Sequence, residues 1–397
     1  MKRVYIATAL TCLIVLAAFH GIFRLLNLSG GRDHLTIGFI YDNDESTPYT
    51  YNFSLAKDAV EKKYGEQVTI LTSSNVLDDE MEEPLREMAE QGCDIIFFNG
   101  YSELVRQLAP EYPGTQFCQT SYRDMSDQTV PANYHTFKGE AYQGRYVSGI
   151  AAGMKIREMI SEGLLKEEQA MVGFVAAFPT SEVISGYTAF LMGVRSIVPD
   201  ATMRVVYTGT WSSYALEKGA AKRLIDDGCV IISQHTDTIG PAIACEEALD
   251  QKTVCFVGYN QSMSEVAPGT SLVTSRICWE PYILSSVDAL MLDKKIEDVV
   301  SGHVRGTDMY AGFDRGWVEM LDLNLPVAAP GTQEAMDAAI ERFRKGEVDF
   351  VFRGDYTGIN PEDPSDTMNL QEGYIENANT SYPLFHYVLK DIITICE

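Results

Sequence analysis

Basic residues are scarce in this chain: its 397 residues hold 31 Lys and Arg against 56 Asp and Glu, a formal net charge of −25. A surface with that balance repels phosphate backbones and anionic headgroups, so no nucleic-acid partner is expected. Metal-ligating patterns are missing as well. The eight cysteines, at 12, 93, 118, 229, 245, 255, 278 and 396, form no C-x-x-C and no Cys/His cluster at zinc spacing. Several lie inside apolar runs such as CDIIFF and VCFVGY, where a free thiol behaves as a small hydrophobe. Catalytic signatures are absent too: there is no G-x-S-x-G, H-E-x-x-H, Walker loop or G-x-G-x-x-G. His235 and Asp237 would share a strand face, yet no Ser or Cys is matched to them. The acidic run Asp42–Glu45 reads as a solvated loop rather than a calcium site. The expectation is a binding protein without metal or cofactor, not an enzyme.

What is present begins with the first residues. Lys2 and Arg3 precede an apolar run from Val4 to Phe19, which continues past His20 and Arg24 to Leu28. A basic start followed by such a run is an export signal or a retained anchor. Ser29, Gly30 and Gly31 supply small residues for cleavage, but the run is also long enough to cross most of a bilayer. Residues 1–31 are therefore expected to be a signal or membrane anchor, with the body extracytoplasmic and membrane-associated.

The body repeats itself. IGFIYD (Ile37–Asp42) is echoed by VGFVAAFP (Val172–Pro179), VTILTSSN by RVVYTGTW, and EMAEQGCDIIFFNG by RLIDDGCVIISQHT, each at a separation of about 135 residues. Each copy alternates short Val/Ile/Phe runs with helical stretches, the pattern of a parallel sheet covered on both faces. Gly92 and Gly228 stand where a helix ends before the next strand. Two Rossmann-like, doubly wound α/β lobes follow, with a ligand cleft between them.

In such sheets ligands sit beyond the carboxyl ends of the strands. The residues expected there are Asp42, Asn43, Tyr49 and Tyr51, then Asn99, Gly100 and Tyr101 from the first lobe. The second lobe offers Phe178, Trp211, Gln234 to Asp237, and Asn260.

These motifs match a known family. FKGEAYQGRYVSGIAAG (Phe137–Gly153), VGFVAAFPTSEVISGYTAFLMGV, GTW (Gly209–Trp211), SQHTDT, VGYNQSM and LVTSRICWEPY (Leu272–Tyr282) resemble the basic membrane protein (BMP) family of substrate-binding lipoproteins. The resemblance runs from about Ile37 to Gly346. It implies a type I periplasmic-binding fold capturing a purine nucleoside or nucleobase for an ABC permease. Residue by residue, it implies that Tyr49 or Tyr51 faces the base, Phe178 stacks on it, Trp211 and Trp279 lie near the cleft, and Asp237 accepts hydrogen bonds. It also implies lobe one over 35–138 plus about 275–298 and lobe two over 139–272 plus about 299–350. The remainder, 351–397, would be an extension packing on a lobe. The chain departs from the family in Asn260, where an aspartate is usual, in Tyr49 for a tryptophan, in the missing lipobox cysteine, and in a longer Asp355–Ser381 segment. The missing lipobox leaves a second reading: an anchored sensor of the same ligand without a transport role.

Overall fold

The structure is a computed structural model describing residues 31–77, 79–120, 130–321 and 323–396. Apart from Gly31, the expected signal or anchor lies outside the described residues. Among those described, no helix is long and apolar enough to cross a membrane.

Five strands open the chain: β1 (Leu35–Ile40), β2 (Val68–Ser73), β3 (Ile95–Phe98), β4 (Gln116–Thr120) and β5 (Tyr134–Gly139). Between them lie α1 (Pro48–Tyr64), α2 (Glu82–Glu90) and α3 (Glu103–Leu108). The strands pair in parallel in the order β5-β4-β3-β1-β2. Side chains alternate between two apolar layers. Ile37, Phe39 and Phe97 meet Phe53 of α1 on one face, while Ile40, Ile96 and Phe98 meet Leu85 and Met88 of α2 on the other. Each fully buried side chain of this kind contributes about 1.5–3 kcal/mol, which is why both faces of the run are apolar.

The second copy follows after α4 (Ala141–Ser161). It comprises β6 (Met171–Ala176), β7 (Thr202–Tyr207), β8 (Ile231–His235), β9 (Cys255–Tyr259) and β10 (Ser271–Ile277), with α5 (Ser181–Arg195), α6 (Tyr214–Asp226) and α7 (Gly240–Ala248). The repeat read from sequence is a repeat of register: Ile37 pairs with Ile70 and Ile95, and Val172 pairs with Met203 and Ile231. Gly92 and Gly228 adopt φ of 85° and 95°, the left-handed conformation that ends a helix and that L side chains rarely adopt. Where α4 crosses α5, Gly149 and Gly193 bring the backbones together; a Cβ on either would lie 2.0 Å from a backbone oxygen of the other helix.

Helix α8 (Glu280–Met291) returns to lobe one and packs on α1, where Lys63 and the Tyr64 hydroxyl both bond Asp288, each at 2.7 Å. The expected division then needs a correction. Strands β11 (His303–Arg305) and β12 (Asp308–Ala311), assigned to lobe two within 299–350, extend the first sheet, because β12 pairs with β5 from Asp308↔Thr136 to Ala311↔Gly139. Strand β13 (Val318–Met320) and α9 (Thr332–Arg344) do belong with lobe two, on β10 and α4. Beyond residue 351, β14 (Thr357–Ile359), β15 (Thr367–Asn369) and β16 (Val388–Leu389) form a small antiparallel sheet. The last strand, β17 (Ile393–Cys396), pairs in parallel with β7.

The chain thus passes between lobes at 139–141, 277–280 and 311–318. The passages run side by side: the Glu140 amide donates to the Ala311 carbonyl and the Cys278 amide to the Trp317 carbonyl, both at 2.9 Å. Among the described residues, six cysteines are free and buried, and Cys396 is free and half-buried. Tyr142 and Tyr146, one turn apart on α4, are core residues.

Candidate functional site

The carboxyl ends of both sheets face one cleft, with about 280 Å³ of space for water-sized molecules. Of the residues singled out from sequence, Asp42, Tyr49, Tyr101, Trp211, Asp237 and Asn260 line it, with Asn43 and Gly100. Lobe one supplies a rigid rim. Asp42 follows β1, and its Oδ1 accepts from the Asn43 amide (2.8 Å), the Asn99 side-chain amide (2.9 Å) and the Thr50 hydroxyl (3.2 Å). The Asp42 amide donates back to Asn99 Oδ1 at 2.9 Å. Burial raises the Asp42 carboxyl above its usual range, and these donors oppose the rise.

Asn99 is fully buried behind Asp42 and holds it still; its own carbonyl accepts from the Tyr49 hydroxyl at 2.6 Å. Tyr49 and Tyr51 cannot both face the cleft, because helix α1 starts earlier than a loop reading of this stretch allows. Thr47 caps it, accepting from the Thr50 amide, and Pro48 occupies its first position. Residues two apart on a helix point to different faces, and Tyr51 is 41% exposed away from the cavity. Trp279 is not a wall either. It is 1% exposed in the lobe-one core, edge-on to Tyr49 with ring centres 6.0 Å apart, and so backs the ring that lines the cleft.

Lobe two supplies a less satisfied rim. The loop after β8 is shaped by Gln234, whose side-chain amide donates to the Thr236 (2.8 Å) and Thr238 (2.9 Å) carbonyls, and by Glu217, which accepts from the Thr238 hydroxyl and amide. Asp237 is thereby placed on the cavity with its amide bonded to the Trp211 carbonyl at 2.8 Å. It caps no helix, since α7 starts at Gly240. Burial, reinforced by Asp42, Glu217 and Glu182, pushes its carboxyl well above the usual range. Asn260 sits at φ 66°, a conformation Asn tolerates, and its buried Nδ2 has no partner among the described residues. Phe178 does not line the cavity; its ring packs edge-on against Trp211 at 5.5 Å and supports that wall.

Five lining residues were not among those expected at the cleft: Val76, Leu77, Lys138, Glu182 and Tyr259. Lys138 and Tyr259 stand at or beside the carboxyl ends of β5 and β9, so the strand-end rule had the signal. Lys138 of lobe one pairs with Glu182 of lobe two at 2.7 Å, across the cleft. His235, within the Gln234–Asp237 stretch expected at the cleft, has its pKa pushed well below 6.5 by burial and by Arg145 and Lys138. It is neutral at physiological pH. Arg145 lies behind Tyr259, its guanidinium 3.6 Å from that ring's centre, fully buried and with no hydrogen-bond partner among the described residues. Burial lowers its pKa to about 10. The cleft thus presents aromatic faces from both lobes, carboxyls at Asp42, Glu182 and Asp237, and one amine already paired. Among the described residues, no group of three or more His, Cys, Asp or Glu could hold a metal ion.

The chain is similar to several known proteins. A purine-binding protein of Brucella abortus (strain 2308) is 27% identical over 365 residues, 90% of this chain and 93% of its own length. A Haloferax volcanii protein, provisionally named as an ABC transporter glucose-binding protein, is 27% identical over 83% of this chain and 76% of its own. Among solved structures, an ABC transporter solute-binding protein of Aeropyrum pernix K1 superposes with a TM-score of 0.65 at 14% identity, covering 83% of this chain and 95% of that one. That superposition fixes the fold as the type I periplasmic-binding arrangement. The model of the PnrA-like ABC transporter substrate-binding proteins (Bmp) matches residues 36–346, spanning both lobes and the cleft, and it is to this family that the chain belongs.

Proposed function

We propose that the protein captures a purine nucleoside or nucleobase outside the cytoplasm and delivers it to an ABC permease. The observation that carries this reading is the cleft itself. Tyr49 and Tyr101 face Trp211 and Tyr259 across a space lined by carboxyls from both lobes and by Asn260, whose Nδ2 has no partner among the described residues. A purine offers π-faces to the aromatic rings, N–H and hydroxyl donors to Asp42 and Asp237, and ring acceptors to Asn260. A phosphorylated nucleotide fits poorly, because three carboxyls outweigh a lysine already paired with one of them. The similarity to the purine-binding Brucella protein supports the same choice. Solute-binding proteins of ABC importers work extracytoplasmically, which agrees with the export or anchor reading of the first residues.

The test is thermal stabilisation of residues 32–397. A ligand that binds only the folded state raises stability by RT ln(1 + [L]/Kd). Adenosine, guanosine, inosine or adenine is expected to raise Tm, and glucose is not. No shift with any purine at millimolar concentration, or a shift with glucose alone, overturns the purine assignment.

A further inference from the structure

Residues 351–397 lie beyond the span that matches the family, yet they are built into the molecule. Val351, Phe352, Leu370, Phe385 and Leu389 are fully buried. The segment is rooted in lobe two. Strand β17 pairs with β7 from Ile393↔Met203 to Cys396↔Val206, and the buried Glu376 accepts from the Ser185 hydroxyl of α5 at 2.5 Å. Glu376 also accepts from the Leu384 amide at 2.7 Å and the Phe385 amide at 3.2 Å, closing residues 376–385 into one compact loop. Inside that loop, Asn377 donates to the Thr380 and Ser381 carbonyls.

The same loop reaches lobe one. The Ser381 amide donates to Asp308 Oδ2 on β12 at 2.7 Å, and the Arg305 guanidinium of β11 donates to Asn379 Oδ1 at 3.1 Å and to the Ala378 carbonyl. Asp308 is itself tied into the first sheet, its Oδ1 accepting from the Thr136 hydroxyl at 2.6 Å. Lys138, which closes the cleft by pairing with Glu182, lies over the Tyr382 ring at 5.7 Å. Ser185, which holds Glu376, stands one turn along α5 from Glu182. A small cavity is lined jointly by Lys138, Glu182, Ser185, Asn377 and Pro383.

We propose that residues 376–385 form a fourth, non-covalent link between the lobes, which limits how far they open and positions the Lys138–Glu182 pair for ligand capture. The three chain passages leave two lobes free to move about a hinge. A loop rooted on one lobe and hydrogen-bonded to the other narrows that motion. A cleft held near its closed form spends less binding energy on closure, so its ligand dissociates more slowly. Arg305, Asp308, Ser185 and Glu376 act through Lys138 and Glu182, so they are positioning residues. The inference rests on the two-lobed cleft, not on the identity of the ligand.

The test needs no ligand. Spin labels at Glu61→Cys on α1 and Lys222→Cys on α6, both exposed positions, report the distance between lobes. Substituting Arg305→Ala with Asp308→Asn removes the guanidinium and leaves one amide oxygen for two donors. The interlobe distribution is expected to broaden and shift outward by several ångström, with far-UV circular dichroism unchanged. Arg305→Lys, which restores a donor, should recover part of the narrow distribution. If the double variant fails to fold, Arg305→Ala alone, an exposed side chain, carries the same test with a smaller broadening. An unchanged distribution in a folded variant overturns the proposal. That result would leave the purine reading untouched, just as a failed purine panel would leave the strap untouched.

Discussion

The two lobes share a strand order and a register but build opposite kinds of half-site. In lobe one the polar groups at the cleft are held from behind: Asp42 by Asn43, Asn99 and Thr50, and Tyr49 by the Asn99 carbonyl. In lobe two Asn260 Nδ2, His235 Nδ1 and the Arg145 guanidinium are buried without hydrogen-bond partners among the described residues, and burial, reinforced by nearby carboxylates, pushes the Asp237 carboxyl up. A satisfied network rigidifies, whereas an unsatisfied buried group retains a desolvation cost of about 1–3 kcal/mol. On this reading lobe one is the template against which the ligand is laid. Lobe two is the side that gains most when the ligand supplies the missing partners.

The contrast can be broken by substitution. The largest effect is expected at Asp237. Asp237→Ala should weaken purine binding roughly 10- to 100-fold by titration calorimetry, the worth of leaving a buried ligand donor without its acceptor. It should not lower Tm at pH 7. A carboxyl whose pKa is raised by folding contributes its full stability below its unfolded pKa and loses it progressively as pH rises towards the folded value, so its removal at pH 7 is neutral or stabilising. Trp211→Ala should follow, at about 1–3 kcal/mol for one stacked base, again with little change in urea midpoint. Asn99→Ala should behave in the opposite way, lowering unfolding free energy by about 1–3 kcal/mol because both the Asp42 amide and carboxyl lose a partner. If Asn99→Ala leaves stability unchanged, or Asp237→Ala unfolds the protein, the division of labour between lobes is wrong.

The smallest effect concerns the hinge. Burial, with Asp314 and Glu376 nearby, raises the Glu140 carboxyl to about 8. The native state therefore keeps a proton that the unfolded chain releases above its ordinary pKa of 4.5, and stability falls as pH rises from 4.5 to 8. Glu140→Gln removes that dependence. Its Tm should match the wild type at pH 4.5 and exceed it by a few degrees at pH 8, as read by calorimetry across that range.

Much of the architecture was legible because it rests on short-range pattern. Both faces of each sheet are covered, so IGFI and VGFV read as buried strands, and Gly92 and Gly228 mark helix ends that require positive φ. Strand-end logic also predicted that Asp42, Tyr101, Asp237 and Asn260 lie at the cleft, where they line the cavity. It faltered where three-dimensional packing decides. Tyr51 was grouped with Tyr49 because the capped start of α1 at Thr47 and Pro48 went unread, and helical geometry allows only one of them into the cleft. Trp279 and Phe178 are large aromatics close to the site, but one backs Tyr49 and the other Trp211. Lys138 and Glu182 meet only across the cleft, a contact that no local spacing encodes. The extra strands β11 and β12 were placed with the wrong lobe because the third passage, at 311–318, comes after them rather than before.

Tryptophan fluorescence tests the central claim most directly. The chain has three tryptophans; Trp279 and Trp317 are each 1% exposed, and Trp211 is the one that lines the cleft. Titrating guanosine or adenosine into the wild type is expected to give a saturable change in emission, and Trp211→Phe is expected to abolish it. An unresponsive wild type at millimolar purine, or a response that survives Trp211→Phe undiminished, would contradict a ligand held between the lobes against this wall.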